Sequence, residues 1–160
     1  MVSWARRTFV FSHFVVPLIT AVLLLTLLLL LATCGPNASN YKSVLDGLHI
    51  PSGWELVHST SAEKLDCPLA NCPRATRYYR ANGSQTDHYE EVKQIFTEGG
   101  FQIDTSFGEC DFRGVEDCIV SGAKGSDEMD IVLFYPGSDD GLGIAEEGHI
   151  IIRITAYGKR

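Results

Sequence analysis

The chain has 160 residues, room for one ordinary domain, and the body of about 125 residues left after the apolar N-terminal stretch can build one core. Arg6 and Arg7 are the only charged residues before Cys34, which leaves 11 of the 13 basic side chains and all 20 acidic ones in the remainder, a formal charge of −9. Such an acidic surface repels phosphate backbones and anionic head groups, which excludes nucleic acid as a partner and excludes adhesion to lipid by surface charge.

The first element is the uncharged run FVVPLITAVLLLTLLLLLA from Phe14 to Ala32, preceded by the basic start MVSWARR. As a helix it would be about 28 Å long, close to the roughly 30 Å hydrocarbon core, so its length suits both an uncleaved anchor and a long signal peptide. The run exits through Leu31-Ala32-Thr33-Cys34-Gly35, which resembles the lipobox of bacterial lipoproteins, with Thr33 where that family usually has Gly, Ala or Ser. The resemblance covers the first 35 residues. It implies a diacylglyceryl group on the Cys34 thiol, cleavage before Cys34 and acylation of the freed amine, with acyl chains of the palmitate type as the anchor. Each buried methylene contributes about 0.8 kcal/mol, and a second chain makes such anchoring stable. A retained signal-anchor helix and a freely secreted chain are the alternatives, and all three place the body outside the cytoplasm, with Arg6 and Arg7 on the inner side.

This partition gives residues 1–33 as signal peptide or membrane anchor, 34–40 as a small, polar tether, and 41–160 as one extracytoplasmic domain. Within the domain, Tyr41, Val44, Leu45 and Leu48 fall on one face of a short helix that Pro51 ends. Pro51-Ser52-Gly53 turns the chain into a strand over Trp54–His58, where Trp54 reads as a core anchor. Cys67 and Cys72 follow in the Pro-rich string CPLANCP. With Cys34 assigned to lipid, Cys67, Cys72, Cys110 and Cys118 form an even set in an oxidising compartment. Local pairs close small loops, so Cys67–Cys72 and Cys110–Cys118 are the expected disulfides, each contributing about 2 kcal/mol. The spacings C-x4-C and C-x7-C do not match common zinc modules, so no metal site is expected.

A strand is expected over Arg74–Ala81, then the main helix over about His88–Glu98, with Asp87 as cap, Glu90 completing a capping box, and Tyr89, Val92, Ile95 and Phe96 as its buried stripe. Gly99-Gly100 supplies a left-handed exit. Further strands are expected near Phe101–Phe107, Asp117–Lys124, Met129–Tyr135 and His149–Tyr157. Ile131–Phe134 and Ile150–Ile152 are apolar on both faces and read as central strands. The fold class is therefore α+β, an antiparallel sheet of about five or six strands packed by one main helix, with a short N-terminal helix. The order of Pro51-Ser52-Gly53-Trp54, the Tyr78-Tyr79 strand, one helix and then Gly99-Gly100-Phe101 resembles uncharacterised domains of bacterial lipoproteins, a likeness that implies no activity.

No catalytic residue and no cofactor is indicated. His49, His58, His88 and His149 stand singly, and neither a nucleophile elbow nor a phosphate-cradling glycine loop is present. The acidic strings Asp127-Glu128-x-Asp130 and Asp139-Asp140…Glu146-Glu147 lack the spacing of a calcium loop. Arg74, Arg77 and Arg80 with Tyr78 and Tyr79 would suit an anionic ligand as a cation-bearing aromatic surface, but on a strand Arg77 points to the face opposite the other two, so the three read as ion-pair partners for the acidic excess. The expected function is a membrane-anchored lipoprotein of the cell envelope that binds an unidentified protein or small-molecule ligand without catalysis. The alternatives are a small envelope enzyme using carboxylates such as Asp139 and Glu146, and an accessory subunit of a membrane complex.

Overall fold

A computed structural model of the chain describes residues 37–63, 72–105, 116–136 and 148–158, together with Ile19, Val22, Leu24, Cys110, Phe112, Ser138, Leu142 and Gly143. The chain forms two compact units, residues 1–35 and 36–160. In the first, Ile19, Val22 and Leu24 are helical and exposed. The second is α+β: α1 (Ala38–Asp46), β1 (Glu55–Ala62), β2 (Arg74–Asn82), α2 (Gln85–Gly99), β3 (Gln102–Ile103), β4 (Cys118–Lys124), β5 (Asp127–Leu133) and β6 (His149–Gly158). The six strands make one open antiparallel sheet in the order β1-β2-β6-β5-β4-β3.

The strands apolar on both faces, β5 and β6, take the centre of the sheet. Ile131, Leu133, Ile150, Ile152 and Ile154 face the main core, while Val132, Ile151 and Phe134 form a small second cluster on the other face, with Tyr78 packed against it. Both helices pack on the main-core face, which Tyr41 and Leu45 of α1 and Val92, Ile95 and Phe96 of α2 complete. The other face of the sheet carries no helix among the described residues. Two helices thus share the layer expected to be formed mainly by one.

Helix α1 starts at Ala38, inside the stretch read as tether. Asn37 is the reason: its side-chain oxygen accepts from the Asn40 N–H at 3.2 Å, so the helix is capped three residues earlier than the apolar periodicity indicates. The Glu63 carboxylate also accepts from the Ala38 N–H at 3.2 Å, joining the helix start to the chain just after β1. The helix stops at Asp46 with Gly47 as its cap, well before Pro51.

Helix α2 likewise starts earlier than expected, at Gln85, because Ser84 and not Asp87 is the N-cap. The Asp87 carboxylate accepts from both the backbone N–H and the hydroxyl of Ser84, each at 2.8 Å. These bonds, the backbone one first, hold the Asp87 carboxyl below the usual carboxylate range. Its contribution to stability is therefore complete above the ordinary value of about 4 and is lost as pH falls through the lowered one. We expect Asp87→Asn to melt below the parent at neutral pH, and the gap to close on acidification; a gap independent of pH would count against this role of the carboxylate. At the far end Gly100 takes φ 75°, a left-handed exit, and the Phe101 N–H donates to the Phe96 carbonyl at 2.8 Å.

The expected strand over Phe101–Phe107 is cut to Gln102–Ile103, and Thr105 has already left the ladder. Gln102 and Ile103 pair with Ala123 and Gly122, a register that would carry Phe107 to Cys118 if it continued. Instead Cys110, three residues further on, is bonded to Cys118, with Cα atoms 5.3 Å apart, so the register of β3 on β4 does not extend to the disulfide. Cys72 is also disulfide-bonded. Cys67, its expected partner, lies outside the described residues, as does Cys34. The first strand runs longer than expected, to Ala62, and begins after Trp54, which is buried as read.

Candidate functional site

The helix-free sheet face is organised by strand register. Residues directly opposite one another share a face, as do residues two apart along a strand. Thr60 pairs with Thr76, Thr76 with Thr155, Thr155 with Asp130, and Asp130 with Ser121, so one row of short polar side chains crosses five strands. At about 4.8 Å per strand the row is about 19 Å long. Two residues away on one side stand His58, Tyr78, Arg153 and Val132, and on the other Arg74, Tyr157 and Glu128, each again in register. Long side chains flank short ones, which makes a trench running across the strands.

The middle of the trench has a local two-fold character written in the sequence. Arg74-x-Thr76-x-Tyr78 on β2 and Arg153-x-Thr155-x-Tyr157 on β6 are the same string, and antiparallel pairing centres them on Thr76 opposite Thr155. Each arginine therefore lies opposite the tyrosine of the other strand. The two threonine hydroxyls are 3.2 Å apart and hydrogen-bonded. These six residues, with Thr60 and Asp130, line a cleft of about 250 Å³. A second depression, about 610 Å³, shares Asp130 and Tyr157 with it and extends past Ser121 and Glu128 to β3.

The charges in the trench are unevenly satisfied. Arg77 on the helix side is paired with Asp46 and donates to the Leu45 carbonyl at 3.0 Å, and Arg80 pairs with Glu55 at 2.7 Å, both as the ion-pair reading expects. Arg74 is different. Among the described residues neither Arg74 nor Arg153 forms an ion pair, although acidic side chains outnumber basic ones. Arg153 is steadied by the Phe134 ring, whose centroid is 5.2 Å from its guanidinium carbon. Asp130 accepts from the Tyr157 hydroxyl at 2.8 Å, which fixes the carboxylate and the phenol together. The trench thus offers two half-buried guanidinium groups, a row of hydroxyls, two tyrosines and a fixed carboxylate.

Other candidates are structural. The Trp54 indole N–H donates to Glu91 at 2.9 Å, and His88 places one ring nitrogen 2.6 Å from Glu91 and the other 2.8 Å from the Asn82 carbonyl. Both imidazole nitrogens are therefore engaged: the Glu91 contact stays within α2, and the Asn82 contact ties α2 to the end of β2. His58 lies beside Tyr78, with ring centroids 5.8 Å apart, at the rim of the trench. Among the described residues no three His, Cys, Asp or Glu side chains are grouped to hold a metal ion, and no helix is long and apolar enough to cross a membrane. Asp139, Asp140, Glu146 and Glu147 lie outside the described residues, as does the lipobox-like string.

Thr60, Thr76, Thr155, Arg153 and Tyr157 carry no chemical motif in the sequence, and Arg74 lines the cleft rather than forming the expected surface ion pair among the described residues. The repeated R-x-T-x-Y string was the available signal, too short to stand out until pairing set its two copies face to face. A scan of protein-family models and searches of curated proteins and of solved structures found no match to this chain.

Proposed function

We propose that the chain is a membrane-tethered module on the outer face of the cell, lipidated at Cys34, which binds a soluble ligand in the trench without catalysis. The observation that supports ligand binding is the polar cleft built by the paired R-x-T-x-Y strings on the sheet face that no described helix covers, and the tether rests on the lipobox-like string alone. Concave sites that present a few convergent polar groups on a rigid scaffold are the usual seat of small-molecule binding. The trench is built on paired strands inside the sheet, a scaffold that holds a site's geometry more closely than loops do.

Two measurements test the two halves. A clickable fatty-acid label should mark the parent chain and not Cys34→Ala, and the parent alone should sediment with membranes; equal labelling and processing would remove the lipid tether. For the trench, the detergent-solubilised full chain is treated with phenylglyoxal in the presence of neutral sugars, sugar acids, short peptides or nucleotides. At least one class should protect Arg74 and Arg153 while leaving labelling of Arg80 unchanged. If no class does so, the trench is not a ligand site.

A carboxylate-using enzyme is the second reading, favoured by one observation: Glu128 and Asp130 line the same depression. Turnover of a glycan or ester substrate, lost in Glu128→Gln, would replace the binding reading.

A further inference from the structure

We infer that the trench selects a hydroxyl-bearing small molecule with one oxyanion group, a carboxylate or a phosphate ester, and grips that group between Arg74 and Arg153 above the Thr76–Thr155 pair. This rests on the trench being the ligand site and adds the chemistry of what it takes.

Register carries the inference. Arg74 and Arg153 stand on opposite walls, four residues apart along paired strands, so their Cα atoms are separated by about 14 Å, and both residues line the one cleft. A planar guanidinium presents paired donors that match the oxygens of a carboxylate or phosphate, and two of them from facing walls enclose one such group. Below it the threonine hydroxyls hydrogen-bond to each other, and together they retain a proton to donate upward. The cleft volume of about 250 Å³ suits one monosaccharide-sized molecule.

The neighbourhood sets the rest of the ligand. Asp130 sits beside Thr155 with its carboxylate already turned to the Tyr157 hydroxyl, so it meets a ligand as an acceptor and opposes a second anionic group there. A molecule with hydroxyls on that side satisfies it. The formal charge of −9 on the body also penalises a highly charged ligand at long range, which favours a single oxyanion on an otherwise neutral frame.

The test is calorimetric titration of the detergent-solubilised full chain with glucuronate, glucose 6-phosphate and glucose. Glucuronate or glucose 6-phosphate should bind at least tenfold more tightly than glucose, and the stronger of the two identifies the oxyanion as carboxylate or phosphate. Arg74→Met and Arg153→Met should each weaken that binding by at least tenfold and by similar factors, because the pseudo-two-fold gives the arginines matching roles; an unchanged melting curve checks that each variant is folded. Equal binding of glucose overturns the oxyanion inference while leaving the trench as a site. If none of the three binds but another ligand class protects the two arginines from phenylglyoxal, the inference fails alone. If no ligand class does so, it fails together with the reading beneath it.

Discussion

Phe96→Ala should lower the unfolding free energy of the body by about 3–5 kcal/mol, the range for emptying a fully buried aromatic position. Phe96 is wholly buried on α2 and reaches the sheet over Gly122 of β4. A Cβ at Gly122 would lie 2.7 Å from the Phe96 ring and 2.9 Å from the Gln102 carbonyl, so the glycine is the recess that seats the ring. Gly122→Ala alone should therefore cost about 1–3 kcal/mol through overpacking. The two sites touch, so their effects should not add: in the double variant the new methyl enters the space the ring vacates, and the total should fall short of the sum by about 1 kcal/mol. Urea unfolding of the four proteins measures the cycle. Strict additivity would mean that Phe96 and Gly122 do not share one packing site.

Gln85→Leu should cost about 2–3 kcal/mol although it places an apolar side chain in a buried position. The Gln85 side-chain amide donates to the Leu133 carbonyl at 2.7 Å and to the Glu116 carbonyl at 3.0 Å, which fastens the first turn of α2 to the end of β5 and to the approach of β4. Leucine removes both donors and leaves two carbonyls short of partners, one of them in the buried interior. Glutamate, with no donor when ionised, should be at least as costly. The same urea measurement decides: a leucine variant as stable as the parent would show that water or a shift in the chain satisfies both carbonyls.

These two residues mark the limits of local reading. Phe96 was visible because Val92, Ile95 and Phe96 recur at helical spacing, and a stripe of that kind faces a core whatever the core is. Gln85 was invisible. Its partners are 31 and 48 positions away, and nothing in its neighbours distinguishes a buried amide from a solvated one. The helix starts are hard to read locally for a related reason: Asn37 and Ser84 are as ordinary in loops as in caps, and only the bonds that each one's oxygen or N–H forms separate the two.

The sequence by itself determined the element types, the central place of the two strands that are apolar on both faces, and the alternation that puts Arg, Thr and Tyr on one side of β2 and of β6. Those properties follow from the two-residue period of a strand and from the need to bury apolar side chains, both local in origin. Tertiary structure alone decided that Thr76 meets Thr155, a pair 79 positions apart, and hence that two dispersed arginines face each other across a floor of hydroxyls. Register between distant strands is set by which pairing buries the isoleucines of β6 and the aromatic residues of α2 together, a property of the whole core. The candidate site is a by-product of that choice on the opposite face of the sheet.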